Sequence, residues 1–108
     1  MVMKKKKKSN IPVLKFNAFE FIPQAKLDYH EFGILNAYDI EKHLNEFIED
    51  SYISKFTEIL IITGKGFVVR PLVNKLLSKN KYVLNFKSAG YFNGQGGAFE
   101  VKLTTSNS

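Results

Sequence analysis

Leu27-Asp28-Tyr29-His30 is the first place in the chain where reactive side chains stand at a useful spacing. Residues two apart on a strand project from one face, which sets Asp28 and His30 on the same side, about 6 to 7 Å apart at the backbone. That gap brackets one phosphate or one water, as general acid–base work at phosphorus requires, and histidine is the side chain that exchanges a proton near neutral pH. The bland alternative is a solvent-facing strand end whose polar pair does nothing. A second candidate is Ile62-Thr63-Gly64-Lys65-Gly66. Glycines at a strand-to-helix turn let the backbone approach a ligand closely. The turn's amides and the positive end of the following helix would then face a phosphate, and Lys65 would supply a full charge. It is not a Walker loop, because the spacing and the Lys-Ser/Thr pair are missing. Any tight β-α turn also wants glycine, so the motif is weak alone.

Other chemistries have little to stand on. The chain has no cysteine, which excludes disulfides, thiolate metal sites and redox motifs. The second histidine, His43, lies on the shoulder of a helical apolar stripe and reads as structural. Two histidines and one carboxylate in the strand motif make no metal-ligand constellation. The expectation is therefore chemistry that needs no cofactor, with a loosely held magnesium or manganese ion as the alternative. No serine has a plausible base beside it.

The elements that must position these residues can be read from periodicity. Residues 26–30 form a short strand candidate. Residues 36–52 are the clearest helix: Ala37, Ile40, Leu44, Phe47, Ile48 and Ser51 fall in one stripe, and Asn36 can cap the start. Residues 58–63 are a continuous hydrophobic strand, broken by Gly64-Lys65-Gly66. A second helix spans about residues 68–79, with Pro71 tolerated in its first turn. Strands follow at about residues 82–88 and 98–103. The latter alternates, with Phe99, Val101 and Leu103 on one face and Glu100 and Lys102 on the other. Asn93-Gly94-Gln95-Gly96-Gly97 is a flexible turn between them. The order β-α-β-α-β-β predicts an α/β (α+β) two-layer sandwich, two helices on a four-stranded mixed sheet. In such sheets ligands gather at the carboxyl ends of strands, so the His30 and Gly64 motifs should converge.

Length and charge frame the partners. The 108 residues fit one domain, residues 25–103, preceded by a disordered basic arm (1–10) and an extended segment (11–24), and followed by a frayed tail (104–108). The net charge is +6, and five of those charges are Lys4, Lys5, Lys6, Lys7 and Lys8. Residues 9–58 carry four lysines against nine acids, whereas residues 59–108 carry seven basic residues against Glu100 alone. One acidic and one basic half point to a polyanion on the basic side; the alternative is that lysine merely keeps the surface soluble. Fifteen of the sixteen basic residues are lysine, which favours phosphate contact over base reading. No apolar run exceeds four residues, so no membrane span or export signal is expected and a cytoplasmic protein is the default.

Taken in order, these landmarks resemble the Small MutS-related (Smr) domain. Its signature is L-D-x-H on the first strand, an acidic amphipathic helix, a hydrophobic strand ending in H/T-G-x-G, and a late glycine-rich turn before a final V-x-L strand. Here these are Leu27-Asp28-Tyr29-His30, Thr63-Gly64-Lys65-Gly66, and Gly94-Gln95-Gly96-Gly97-Ala98 leading into Val101-Lys102-Leu103. Glu31 stands where a glycine usually follows the histidine, and the loop after Gly66 is one residue short. The resemblance implies a fold like the carboxy-terminal domain of translation initiation factor three. It also implies nicking or cleavage of DNA or RNA, in some members on ribosomes, and in others binding alone. The expectation is an endonuclease with Asp28, His30 and Lys65 catalytic. Nucleic acid would be held by Thr63, Gly64, Gly66, Arg70, Gly94, Gly96 and the Lys4–Lys8 run, with a monomer favoured. The competing expectation is a non-catalytic nucleic-acid- or ribosome-binding module.

Overall fold

In the computed structural model, residues 21–90 and 96–105 are described. The lysine arm, most of the 11–24 segment, and Asn93, Gly94 and Gln95 of the glycine turn lie outside them. The elements run β1 (Ala25–Asp28), a 3₁₀ turn (Tyr29–Glu31), α1 (Ala37–Ile53), β2 (Glu58–Ile62), α2 (Val69–Lys79), β3 (Val83–Ser88) and β4 (Ala98–Leu103).

Helix α1 begins where Asn36 leaves the helical region and its side chain accepts from the Asp39 amide at 2.8 Å. Its stripe of Ile40, Leu44, Ile48 and Ser51 is buried. The helix ends in a Schellman arrangement, Lys55 N–H to Tyr52 and Phe56 N–H to Ser51, both 3.0 Å. Lys55 holds φ +64°, the left-handed position that normally falls to glycine. Helix α2 starts at Val68 without a side-chain cap.

The sheet order is β1-β2-β4-β3. β1 runs parallel to β2, while β4 is antiparallel to both β2 and β3. β1, β2 and β3 therefore all end at the same edge of the sheet. Ile59 and Ile61 of β2 join Phe99, Val101 and Leu103 of β4 in a core with Ile40, Leu44 and Ile48 of α1 and Val73 and Leu77 of α2. Both helices thus cover one face, as the pattern of their stripes requires. Leu60 turns to the other face and groups with Ala89 and Ala98.

Two features depart from the sequence reading. Glu100, expected on a polar face, is only 6 % exposed, and its Oε2 accepts from the Gly90 amide at 3.0 Å. β4 lies between β2 and β3, and on this second face Leu60, Ala89 and Ala98 form a small apolar group of their own, so it is not the solvent face that alternation suggests. Gln24, silent in the sequence, pins β1 to β2. Its Oε1 accepts from the Thr57 and Glu58 amides at 2.7 and 3.0 Å, and its own N–H donates to Glu58 at 2.8 Å.

Candidate functional site

The strand expected to run through His30 stops at Asp28. Tyr29 is drawn inward: its ring is buried and its hydroxyl donates to the Ile40 carbonyl of α1 at 2.8 Å. Burial holds this phenol well above the ordinary range for tyrosine. Fixing Tyr29 under α1 curls the chain into a 3₁₀ turn, which swings His30 back over Asp28. Asp28 Oδ1 then accepts twice, from the His30 backbone N–H and from His30 Nδ1, both at 2.9 Å. The two side chains, expected to bracket a phosphate or a water between them, are instead bonded to each other directly. An ionised carboxylate only accepts, so the ring nitrogen facing it carries the proton and Nε2 is left as the acceptor. The dyad is accessible, with the His30 side chain 64 % exposed.

Nε2 faces the second motif. Asp28 pairs with Ile62 across β1 and β2, which places the following residues of both chains side by side. Gly64 has φ +76°, and a Cβ built on it would come within 2.9 Å of His30 Nε2. Glycine here answers both a backbone conformation and a close approach by the imidazole. The turn is tied to β4 as well: the Thr63 and Gly64 amides both donate to the Gly97 carbonyl, at 3.0 and 2.9 Å. This corrects the expectation that the Gly64 amide faces a phosphate, because it is spent on Gly97. Thr63 is corrected likewise. It is buried, and its hydroxyl donates to the Gly64 carbonyl at 2.7 Å, so it shapes the turn rather than presenting a donor. Among the described residues the amides of Lys65 and Gly66 take no partner.

Lys65 is exposed, and its Cε lies 3.6 Å from where a Cβ on Gly96 would sit. Gly96, at φ +94°, therefore gives the lysine stem a bare surface to cross, bringing the two glycine motifs together. Arg70, the single arginine, stacks its guanidinium 4.1 Å over the Phe99 ring and donates to Ser88 Oγ at 2.5 Å and the Ala98 carbonyl at 3.5 Å. It is held at the same sheet edge with donors to spare, since a guanidinium has five. Gly94 and the Lys4–Lys8 run lie outside the described residues. His43 stacks on Phe32, ring centroids 4.2 Å apart, in keeping with a structural role. Sequence reasoning missed Tyr29, whose placement closes the dyad, and Ser88, which fixes Arg70. Neither carried a local signal. No three His, Cys, Asp or Glu side chains gather around one point among the described residues. No described helix is long and apolar enough to cross a membrane.

Comparison with known proteins bears on the family and the fold. The Smr domain model matches residues 27–104. The chain is 30% identical over 70 residues to endonuclease MutS2 of Clostridium botulinum (strain Eklund 17B / Type B) and 32% identical over 73 residues to that of Acetivibrio thermocellus. Each match takes in 64% of this chain but only 9% of the relative, so the chain spans about a tenth of those proteins. Among solved structures, the Smr domain of Thermus thermophilus MutS2 superposes with a TM-score of 0.66 at 20% identity, covering 74% of this chain and 98% of that one. YdaL, a stand-alone small MutS-related protein from Escherichia coli, superposes with a TM-score of 0.68 at 24% identity, covering 86% and 74%. These two likenesses speak for the mixed four-stranded sheet with its two helices. With the family model spanning the strand motif, both helices and the closing strand, the chain belongs to the Smr domain family.

Proposed function

We propose that this protein binds nucleic acid by its phosphate backbone and cleaves phosphodiester bonds at the Asp28–His30 dyad. The observation that carries the reading is the 2.9 Å contact of Asp28 Oδ1 with His30 Nδ1, which leaves Nε2 as a base beside the Gly64–Gly66 turn. A base oriented by a carboxylate on its far nitrogen is a recurring arrangement for activating a hydroxyl. RNA is the better substrate, because its 2′-hydroxyl is a nucleophile already in place. His30 Nε2 takes the 2′-hydroxyl proton, O2′ bonds to phosphorus, and the P–O5′ bond breaks. The departing O5′ regains the proton, leaving a 2′,3′-cyclic phosphate. Lys65 and the Lys65 and Gly66 amides balance charge on the phosphorane-like transition state, and Asp28 holds the imidazolium. The relatives' name, endonuclease MutS2, supports strand cleavage as the reaction class.

The test is a panel of end-labelled RNA and DNA strands, duplexes and nicked duplexes incubated in EDTA and in manganese, followed by end-group analysis. The expected product is a 2′,3′-cyclic phosphate formed in EDTA. His30→Ala should slow cleavage about 10²- to 10⁴-fold, the range for one general base, with binding nearly intact. A 5′-phosphate formed only with manganese would replace the 2′-hydroxyl route by metal-assisted attack of water. Binding without cleavage of any substrate would leave a binding module.

A further inference from the structure

Phe67 follows Gly66 directly and is 95% exposed. Single exposed apolar residues are ordinary, but these are grouped. Of the seven large hydrophobic residues most exposed among the described ones, Phe67, Val68, Ile34 and Tyr38 all lie at one edge of the fold. Ile34 is in the loop leaving β1, Phe67 and Val68 are in the loop leaving β2, and Tyr38 is in the first turn of α1. That edge also carries His30 and Lys65. Phe67 is not a misplaced core residue, because the neighbouring Val69 and Leu72 of α2 pack against the core while Phe67 stays out.

We infer that Phe67 is a stacking platform for an unpaired base, so that the ligand of this site is single-stranded or locally unpaired nucleic acid. The inference rests on the nucleic-acid reading above and specifies its substrate class. Two residues of chain span at most about 7 Å, so a strand whose phosphate lies on Lys65 has a base within reach of the Phe67 ring. A base inside a duplex hides both π-faces, whereas an unpaired base offers one to an aromatic side chain. Charge sets the strand's path. Lys65 and Arg70 lie on the β2–α2–β4 side, while Glu31 and Asp39 stand toward the start of α1 and repel phosphate. The strand accordingly runs over the loop that carries Phe67.

The chain contains no tryptophan, so Phe67→Trp creates a single reporter at the platform. It would be titrated with an oligodeoxythymidylate strand, an abasic strand of equal length and a blunt duplex. None of these has a 2′-hydroxyl, which separates binding from cleavage. Expected is quenching by the oligodeoxythymidylate alone. Phe67→Ala should weaken that strand about 5- to 150-fold, the range for one base stacked on an aromatic ring, and leave the abasic strand, the duplex and the salt slope unchanged. Equal quenching by all three, or an unchanged affinity in Phe67→Ala while Lys65→Ala weakens all three, would overturn the platform and keep the phosphate site. Loss of self-association in Phe67→Ala, seen by sedimentation, would assign the ring to a second copy and overturn it too. Failure of the wild type to bind any nucleic acid would remove the underlying reading as well.

Discussion

Gly64→Ala separates the contribution of the dyad from that of the fold. The residue sits at φ +76°, where any side chain costs about 1 to 2 kcal/mol. Its new Cβ would lie 2.9 Å from His30 Nε2, closer than real Cβ contacts come. The imidazole is 64 % exposed at its side chain, so it has room to rotate away, and rotation gives up the 2.9 Å bond to Asp28 Oδ1. An exposed bond of this kind contributes only about 1 kcal/mol to stability, so the fold should survive. The two costs together are about 2 to 3 kcal/mol, so the melting midpoint should fall by roughly 8 to 24 °C, taking 4 to 8 °C per kcal/mol for a domain of this size. The catalytic loss should be far larger, about 10²- to 10⁴-fold, because the base no longer points at the turn. Thermal denaturation, strand binding and single-turnover cleavage on the same preparation would read all three. A variant that melts as expected yet cleaves at the wild-type rate would refute the placement of Nε2 in the reaction.

Three other changes test a buried contact, a strained backbone position and the lysine arm. Tyr29→Phe should cost about 1 kcal/mol at neutral pH by loss of the bond to Ile40. Because burial raises the Tyr29 phenol in the folded state, the unfolded chain releases that proton first, so stability is full below about pH 10 and falls above it by about 1.4 kcal/mol per pH unit. Denaturant titrations between pH 8 and 11 should show this component in the wild type and its absence in Tyr29→Phe. Lys55→Gly should stabilise the protein by about 0.5 to 1 kcal/mol, since φ +64° suits glycine; a lower urea midpoint would contradict that. Deleting residues 1–8 removes five lysines and should flatten the log–log salt slope of binding by up to about 0.7 per lost phosphate contact on a single strand, with turnover at saturation retained. An unchanged slope would mean the arm touches no phosphate.

The sequence by itself settled the elements and their order. The stripe from Ile40 to Ser51 recurs at the helical period, and Ile59-Leu60-Ile61-Ile62 reads as an inner strand from its shortness, its β-branched isoleucines and the glycine turn that ends it. The motifs at Asp28–His30 and Thr63–Gly66 were equally plain, as was their meeting at the ends of parallel strands. Tertiary structure decided what those motifs do once they meet. The residues from Leu27 to His30 alternate well enough for a strand, and nothing local says that Tyr29 will find the Ile40 carbonyl eleven residues away and turn the chain into a 3₁₀ turn. The Gly64 amide looked free because its partner, Gly97, is supplied by pairing of β2 with a strand formed more than thirty residues later. The Gln24 hook on Thr57 and Glu58, and the burial of Glu100, depend on the same strand order. Periodicity encodes which face of an element is apolar. Which donor meets which acceptor is a property of the register between elements distant in sequence, and only the folded sheet fixes it.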